Sequence, residues 1–170
     1  MTMVDLSQLV KSPASGKTLS LGGMEVIYKI IPEGTGGAFS VVEHPMEPKR
    51  LVRPHTHTRE DEYSYVVEGE FGIMIGDEET LAGPGSWVVK PRGITHTFWN
   101  PGTAAARLIE IIAPGGFAHY FEELAPILTA GGPPDMAKLQ VVHDKYGISY
   151  NMDLVPRLKE KYGLKLLGEP

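Results

Sequence analysis

The chain has 170 residues, a formal net charge of −5 and no cysteine. That length suits one domain with a sizeable core, and the basic residues do not cluster, which argues against a nucleic-acid or membrane-surface partner. Without cysteine there are no disulfides, thiolate metal ligands or cysteine nucleophiles.

Residues 1–10 contain Asp5 and lack a cationic region followed by a long apolar run, so no export signal is expected. No apolar stretch in the chain approaches the ~20 residues of a membrane span, and the cytoplasm is the expected compartment. Residues 11–23, rich in Ser, Gly and Lys, read as an irregular arm. From residue 24 to 113, short β-rich runs alternate with Gly/Pro turns: 24–31, 38–43, 62–68, 71–75, 87–90, 95–99 and 107–112. Such spacing points to an all-β barrel or sandwich. Gly69-Glu70 parts two runs almost directly, as a tight hairpin would.

After Pro114-Gly115-Gly116 the period changes. Phe117, Tyr120, Phe121, Leu124 and Leu128 follow helical spacing. Residues 136–145 form a second helical candidate, with Asp135 as N-cap and Gly147 as its stop. A third runs from Pro156 to Tyr162 and stops at Gly163. The expected division is an N-terminal arm (1–23), a barrel (24–115) and a helical extension (116–170) packed on the barrel. The alternative role for segment 117–121 is a lid over the barrel mouth.

Chemistry concentrates between residues 49 and 100. Side chains at i and i+2 of a strand share a face, so His55 and His57 can reach one ion. Strict alternation from His57 would bring Asp61 to that face; a turn or bulge between residues 58 and 61 would bring Glu62 instead. The spacing to Gly69 favours Glu62, with Asp61 as the alternative. His96 follows the Pro91-Arg92-Gly93 turn on another β run. Three neutral imidazoles and a carboxylate suit one divalent transition metal, Fe, Mn, Ni, Co, Cu or Zn. His44, His119 and His143 read as surface or locally bonded histidines. By parity, Arg53, Val66, Phe98 and Met74 (or Ile73) are candidates for a substrate pocket beside the ion.

The order and spacing resemble the two motifs of the cupin superfamily. His55, His57, Glu62 and Gly69 match the first, except that Lys49 stands at its opening glycine; Gly85, Pro91, Gly93, His96 and Asn100 match the second throughout. The Pro-Gly-Gly-Phe turn into a helix further resembles small single-domain cupins grouped as quercetin-dioxygenase-like. The resemblance implies an all-β fold, a double-stranded β-helix (jelly-roll) barrel with a short helical C-terminal extension. It implies His55, His57, Glu62 and His96 as ligands of one ion, with about two positions open on a six-coordinate metal. It further implies a quercetinase-like dioxygenase acting on a small enolisable or polyphenolic compound, with Glu62 doubling as catalytic proton acceptor. Other readings are a Lewis-acid isomerase or decarboxylase, and a small-molecule-binding metal cupin without turnover. Related cupins pair through sheet edges or exchanged strands, so a homodimer is expected, with the N-terminal arm crossing over.

Overall fold

The computed structural model describes residues 9–170; the first part of the arm lies outside the described residues. Two antiparallel sheets face each other. The first contains β1 (Thr18–Ser20), β2 (Glu25–Ile30), β3 (Ser40–Met46), β6 (Asp61–Glu68), β9 (Trp87–Lys90) and β11 (Ala106–Ala113), in the order β1-β2-β3-β11-β6-β9. The second runs β12 (Ile148–Tyr150), β5 (His55–His57), β10 (His96–Trp99), β4 (Arg50–Leu51), β13 (Lys165–Leu166). In it, β7 (Phe71–Ile75) also pairs with β10, and β8 (Glu78–Ala82) pairs with β7. All pairings are antiparallel except β13 with β4.

Alternation builds the interior. In β11, Ala106, Leu108, Glu110 and Ile112 are buried while Arg107, Ile109 and Ile111 turn outward. In β3, Ser40, Val42, His44 and Met46 are the buried set. Apolar members such as Val42, Val66, Leu108, Ile112, Ile73 and Phe98 form one continuous core.

The turn at Gly69-Glu70 is not a hairpin: β6 pairs with β11 and β9, whereas β7 pairs with β10 and β8. There the chain crosses from one sheet to the other. Gly69 takes φ 74°, and a Cβ on it would come within 2.6 Å of the Ala106 Cβ, so no larger residue fits the crossing. The hairpin lies one strand later, at Gly76-Asp77 between β7 and β8. The stretch read as an irregular arm contributes β1, which pairs with β2 from Thr18 to Ser20. Lys49 is the one non-glycine residue at positive φ among the described residues, at 60°. The backbone there keeps the left-handed turn that a glycine would adopt without strain.

Three helices follow the barrel: α1 (Tyr120–Leu128), α2 (Met136–Tyr146) and α3 (Val155–Tyr162). Asp135 caps α2 by accepting from the Ala137 and Lys138 N–H groups, and Gly147 and Gly163 end α2 and α3 in the left-handed region. The extension does two jobs. Val155, Leu158, Leu164 and Leu166 cover the outer face of the second sheet, packing on Leu51, Met74 and Trp99. The aromatic segment at the start of α1 packs inward and belongs to the core of the barrel itself. Among the described residues no helix is long and apolar enough to cross a membrane.

Candidate metal centre

The second sheet contributes three imidazoles. His96 on β10 lies opposite His55 on β5, and His57 follows two residues on. The first sheet contributes Glu62, near the start of β6. The chain turns between the end of β5 at His57 and the start of β6 at Asp61, and this resets the alternation so that Glu62 faces inward. Asp61 points out and forms a two-pronged pair with Arg92. One potential ligand atom from each of His55, His57, Glu62 and His96 lies within 4.8 Å of the others, and all four residues are buried. The ion they could hold would therefore sit between the two sheets.

Each ring is set by what its other nitrogen does. His55 Nδ1 sits 2.7 Å from the Arg53 carbonyl and His96 Nδ1 3.1 Å from the Ile94 carbonyl. A carbonyl only accepts, so in both rings Nδ1 carries a proton and Nε2 is the nitrogen turned to the cluster, where His96 Nε2 lies 3.2 Å from Glu62 Oε2. His57 Nδ1 faces the buried Glu60 carboxylate at 3.5 Å. Its Nε2 is buried without an aligned hydrogen bond, 3.3 Å from Glu62 Oε1. An orphaned imidazole nitrogen beside a carboxylate, in an all-N/O donor set, fits a divalent transition metal.

The charges behind these ligands form a buried chain. Lys90 Nζ is 2.9 Å from Glu62 Oε2 and also bonds Glu110, which accepts from Ser64 Oγ at 2.8 Å. His44 Nε2 lies 3.4 Å from the other Glu110 oxygen, and its Nδ1 donates to the Glu25 carbonyl. Burial by itself would push the Glu62 carboxyl up, but Lys90 and His57 outweigh it and hold it well below the usual range. Burial opposes the charged form of Lys90, yet Glu110 and Glu62 raise it. Burial opposes the His57 imidazolium too, and Glu62 and Glu60 reverse the sign, raising it to about 9. His55, with no carboxylate so close, is driven well below 6.5 by burial and by His96 and His57.

Sequence reasoning missed this chain. His44 is not a surface residue; it is 1% exposed and lines the cavity next to the cluster. The available signal was period two: His44 alternates with Val42 and Met46, Lys90 with Val88, and Glu110 with Leu108 and Ile112.

A cavity of about 50 Å³ opens on the cluster. By volume it would take only a few waters as it stands. His44, Arg53, His55, Glu62 and Glu110 give it its polar wall, and Phe98, Phe117 and Phe121 part of its apolar one. The Phe117 ring stands edge-on to His57 at 4.3 Å and Phe121 edge-on to His44 at 5.7 Å, so segment 117–121 packs directly against the buried histidines. Of the four expected pocket residues, Arg53 and Phe98 line this cavity. Val66 is buried in the core deeper in the barrel. Met74 is on the opposite face of its strand, against the C-terminal extension. The uniformly apolar run Phe71–Met74 gave no parity to read, and Ile73 is the one that faces inward.

Residues 42–112 match the cupin domain family, and these residues carry β3 to β11 and the whole cluster. The barrel has the cupin fold. No curated protein sequence matches the chain. Among solved structures, the cupin barrel is similar to an RmlC-like cupin from Shewanella frigidimarina, with 20% identity over 62% of this chain and 90% of that one and a TM-score of 0.55. It is similar to a predicted oxalate decarboxylase from Thermotoga maritima, with 20% identity over 61% and 96% of the two chains and a TM-score of 0.55. A putative sugar phosphate isomerase from Acidithiobacillus ferrooxidans matches at 19% identity over 64% and 77%, with a TM-score of 0.53. At such identities the likeness shows the fold, and cupin function has to be argued from the site.

Proposed function

We propose that the protein is a metal-dependent dioxygenase of quercetinase-like type acting on a small enolisable compound. The observation that carries the reading is the buried His55, His57, Glu62 and His96 cluster, two of whose members, His55 and Glu62, line an aromatic-walled cavity. A redox-capable ion held there would bind the substrate's enolate oxygen and promote its reaction with O₂. His55 and His96, fixed through backbone carbonyls, hold the ligand geometry without needing to move. The Phe117 and Phe121 rings in the cavity wall keep water away from that side, which would protect a carbanion-like substrate from protonation. Glu62 is pinned by Lys90 and held low, so it is a weak proton acceptor, and a substrate already acidic enough to enolise suits this site best.

Between the two substrate classes expected from sequence, the cavity of about 50 Å³ favours a small enolisable molecule over a polyphenol. In the reaction both atoms of O₂ enter the substrate, and a carbon–carbon bond beside the enolate breaks. The test is oxygen uptake by metal-loaded protein with a 1,3-dicarbonyl and with a flavonol. Uptake matching 1,3-dicarbonyl consumption mole for mole, and lost in His96→Ala, is the expected result. Conversion that continues without oxygen would replace the dioxygenase with Lewis-acid chemistry at the same ion.

A further inference from the structure

Arg53 is a buried guanidinium with almost nothing to hold it. It is 8% exposed, and its one side-chain hydrogen bond goes from Nη1 to the Leu167 carbonyl at 3.0 Å. No carboxylate among the described residues forms a salt bridge with it. Glu169, the acid on which Arg53 acts at longer range, is already occupied by Lys159 Nζ at 2.8 and 2.9 Å and by the Leu166 N–H. A guanidinium carries five donors and stays charged at any working pH. Its other nitrogens are not among the buried atoms left without a partner, so they reach open space rather than packed protein.

Arg53 stands in the wall between two hollows. One is the metal cavity; the other is a larger hollow of about 470 Å³, walled by Pro133, Pro134, Met136 and Met152. Among the described residues only Arg53 and Tyr150 line both. Tyr150 shares a 2.8 Å hydrogen bond with the buried Tyr120 hydroxyl, so one of the two hydroxyls can still donate to a third group. Arg53 lies two residues before His55, a spacing of roughly 7 Å along extended chain.

We propose that Arg53, with Tyr150, is the anchor for a substrate carboxylate, so that the enolisable compound is a small keto acid reaching the ion from the larger hollow. The carboxylate takes the free guanidinium donors in a two-pronged contact, and the Tyr150 hydroxyl adds a third. The keto end then extends past His55 to the ion, and any apolar tail stays among Pro133, Pro134 and Met152. This assignment rests on the metal-centre reading for its keto end alone; the anchor itself is a binding claim that needs no turnover.

The test compares two probes of similar size, acetoacetate and the uncharged acetylacetone. Dissociation constants are measured by calorimetry on wild type, Arg53→Gln and Arg53→Lys, with metal content recorded for each. Wild type is expected to bind acetoacetate at least tenfold more tightly than acetylacetone. Arg53→Gln should weaken acetoacetate 10- to 100-fold and leave acetylacetone within about twofold, while Arg53→Lys recovers part of the loss. Equal weakening of both probes, or none, would overturn the anchor and leave Arg53 as a strut for the Leu167 carbonyl. Acetoacetate held through Arg53 in protein devoid of metal would keep the anchor and sink the metal reading. Metal-loaded wild type without a preference for acetoacetate would do the reverse.

Discussion

The two faces of strand β10 border regions built on opposite chemistry. Inward, His96 and Phe98 meet a chain of buried charge that runs through Glu62, Lys90 and Glu110 to His44. Outward, Trp99 packs on Leu51, Met74, Leu158 and Leu166, an apolar layer supplied by the C-terminal extension. The outer region gains stability from each buried side chain, roughly 1.5–3 kcal/mol apiece. The inner region gains little, because mutual attraction mostly offsets the desolvation of its ions. Its charges are placed where an ion and a substrate can use them. Damage to the two faces should therefore read out differently.

The largest effect is expected at Lys90. Lys90→Met leaves Glu62 and Glu110 buried without their cation and should cost about 3–5 kcal/mol in urea unfolding of metal-free protein. Added metal should recover part of that loss, since the ion supplies positive charge beside Glu62. Leu158→Ala, on the outer face, should cost about 3 kcal/mol through the cavity it leaves and change metal content not at all. Metal loss in Leu158→Ala would break the separation of the two regions.

His57 gives the inner region a pH signature. Its folded value is raised above the unfolded one, so in metal-free protein its contribution to stability is complete below about 6.5 and fades as pH rises through about 9. Metal uptake near neutral pH must therefore displace that proton, and affinity should climb with pH up to about 9. Calorimetry in buffers of different ionisation enthalpy should show about one proton released per ion. The smallest expected effect belongs to Lys49. Lys49→Gly removes a left-handed penalty of about 1 kcal/mol, offset by the freer unfolded chain and the lost Lys49 Nζ bond to the Pro101 carbonyl, so stability should change by less than about 1 kcal/mol without altering the metal site.

The clustering of the three histidines was legible because metal binding would constrain spacing: His55 and His57 must share a strand face, and His96 must follow a turn. Glu62 was less legible than the histidines, since simple alternation favours Asp61 and only the turn after His57 settles the choice. The helix ends read well, as Asp135, Gly147 and Gly163 act through their own backbone or nearest neighbours. Long-range facts did not. Nothing local marks Gly69 as a crossing between sheets, because a hairpin uses the same residue type. β8, with Glu78, Thr80 and Leu81 exposed and Ala82 alone buried, shows no alternating apolar face, and β12 and β13 are short strands that exist only through their partners. Lys90 and Glu110 were hidden because charged residues in strands usually face water, and their burial depends on each other.

Elemental analysis of untagged protein purified without added metal, with His96→Ala beside it, tests the central claim most directly. Near-stoichiometric Fe, Mn, Co, Ni or Cu in the wild type, lost in the variant, is the predicted result. No metal in either protein, even after reconstitution, would contradict the account and leave the cupin barrel as a ligand-binding module.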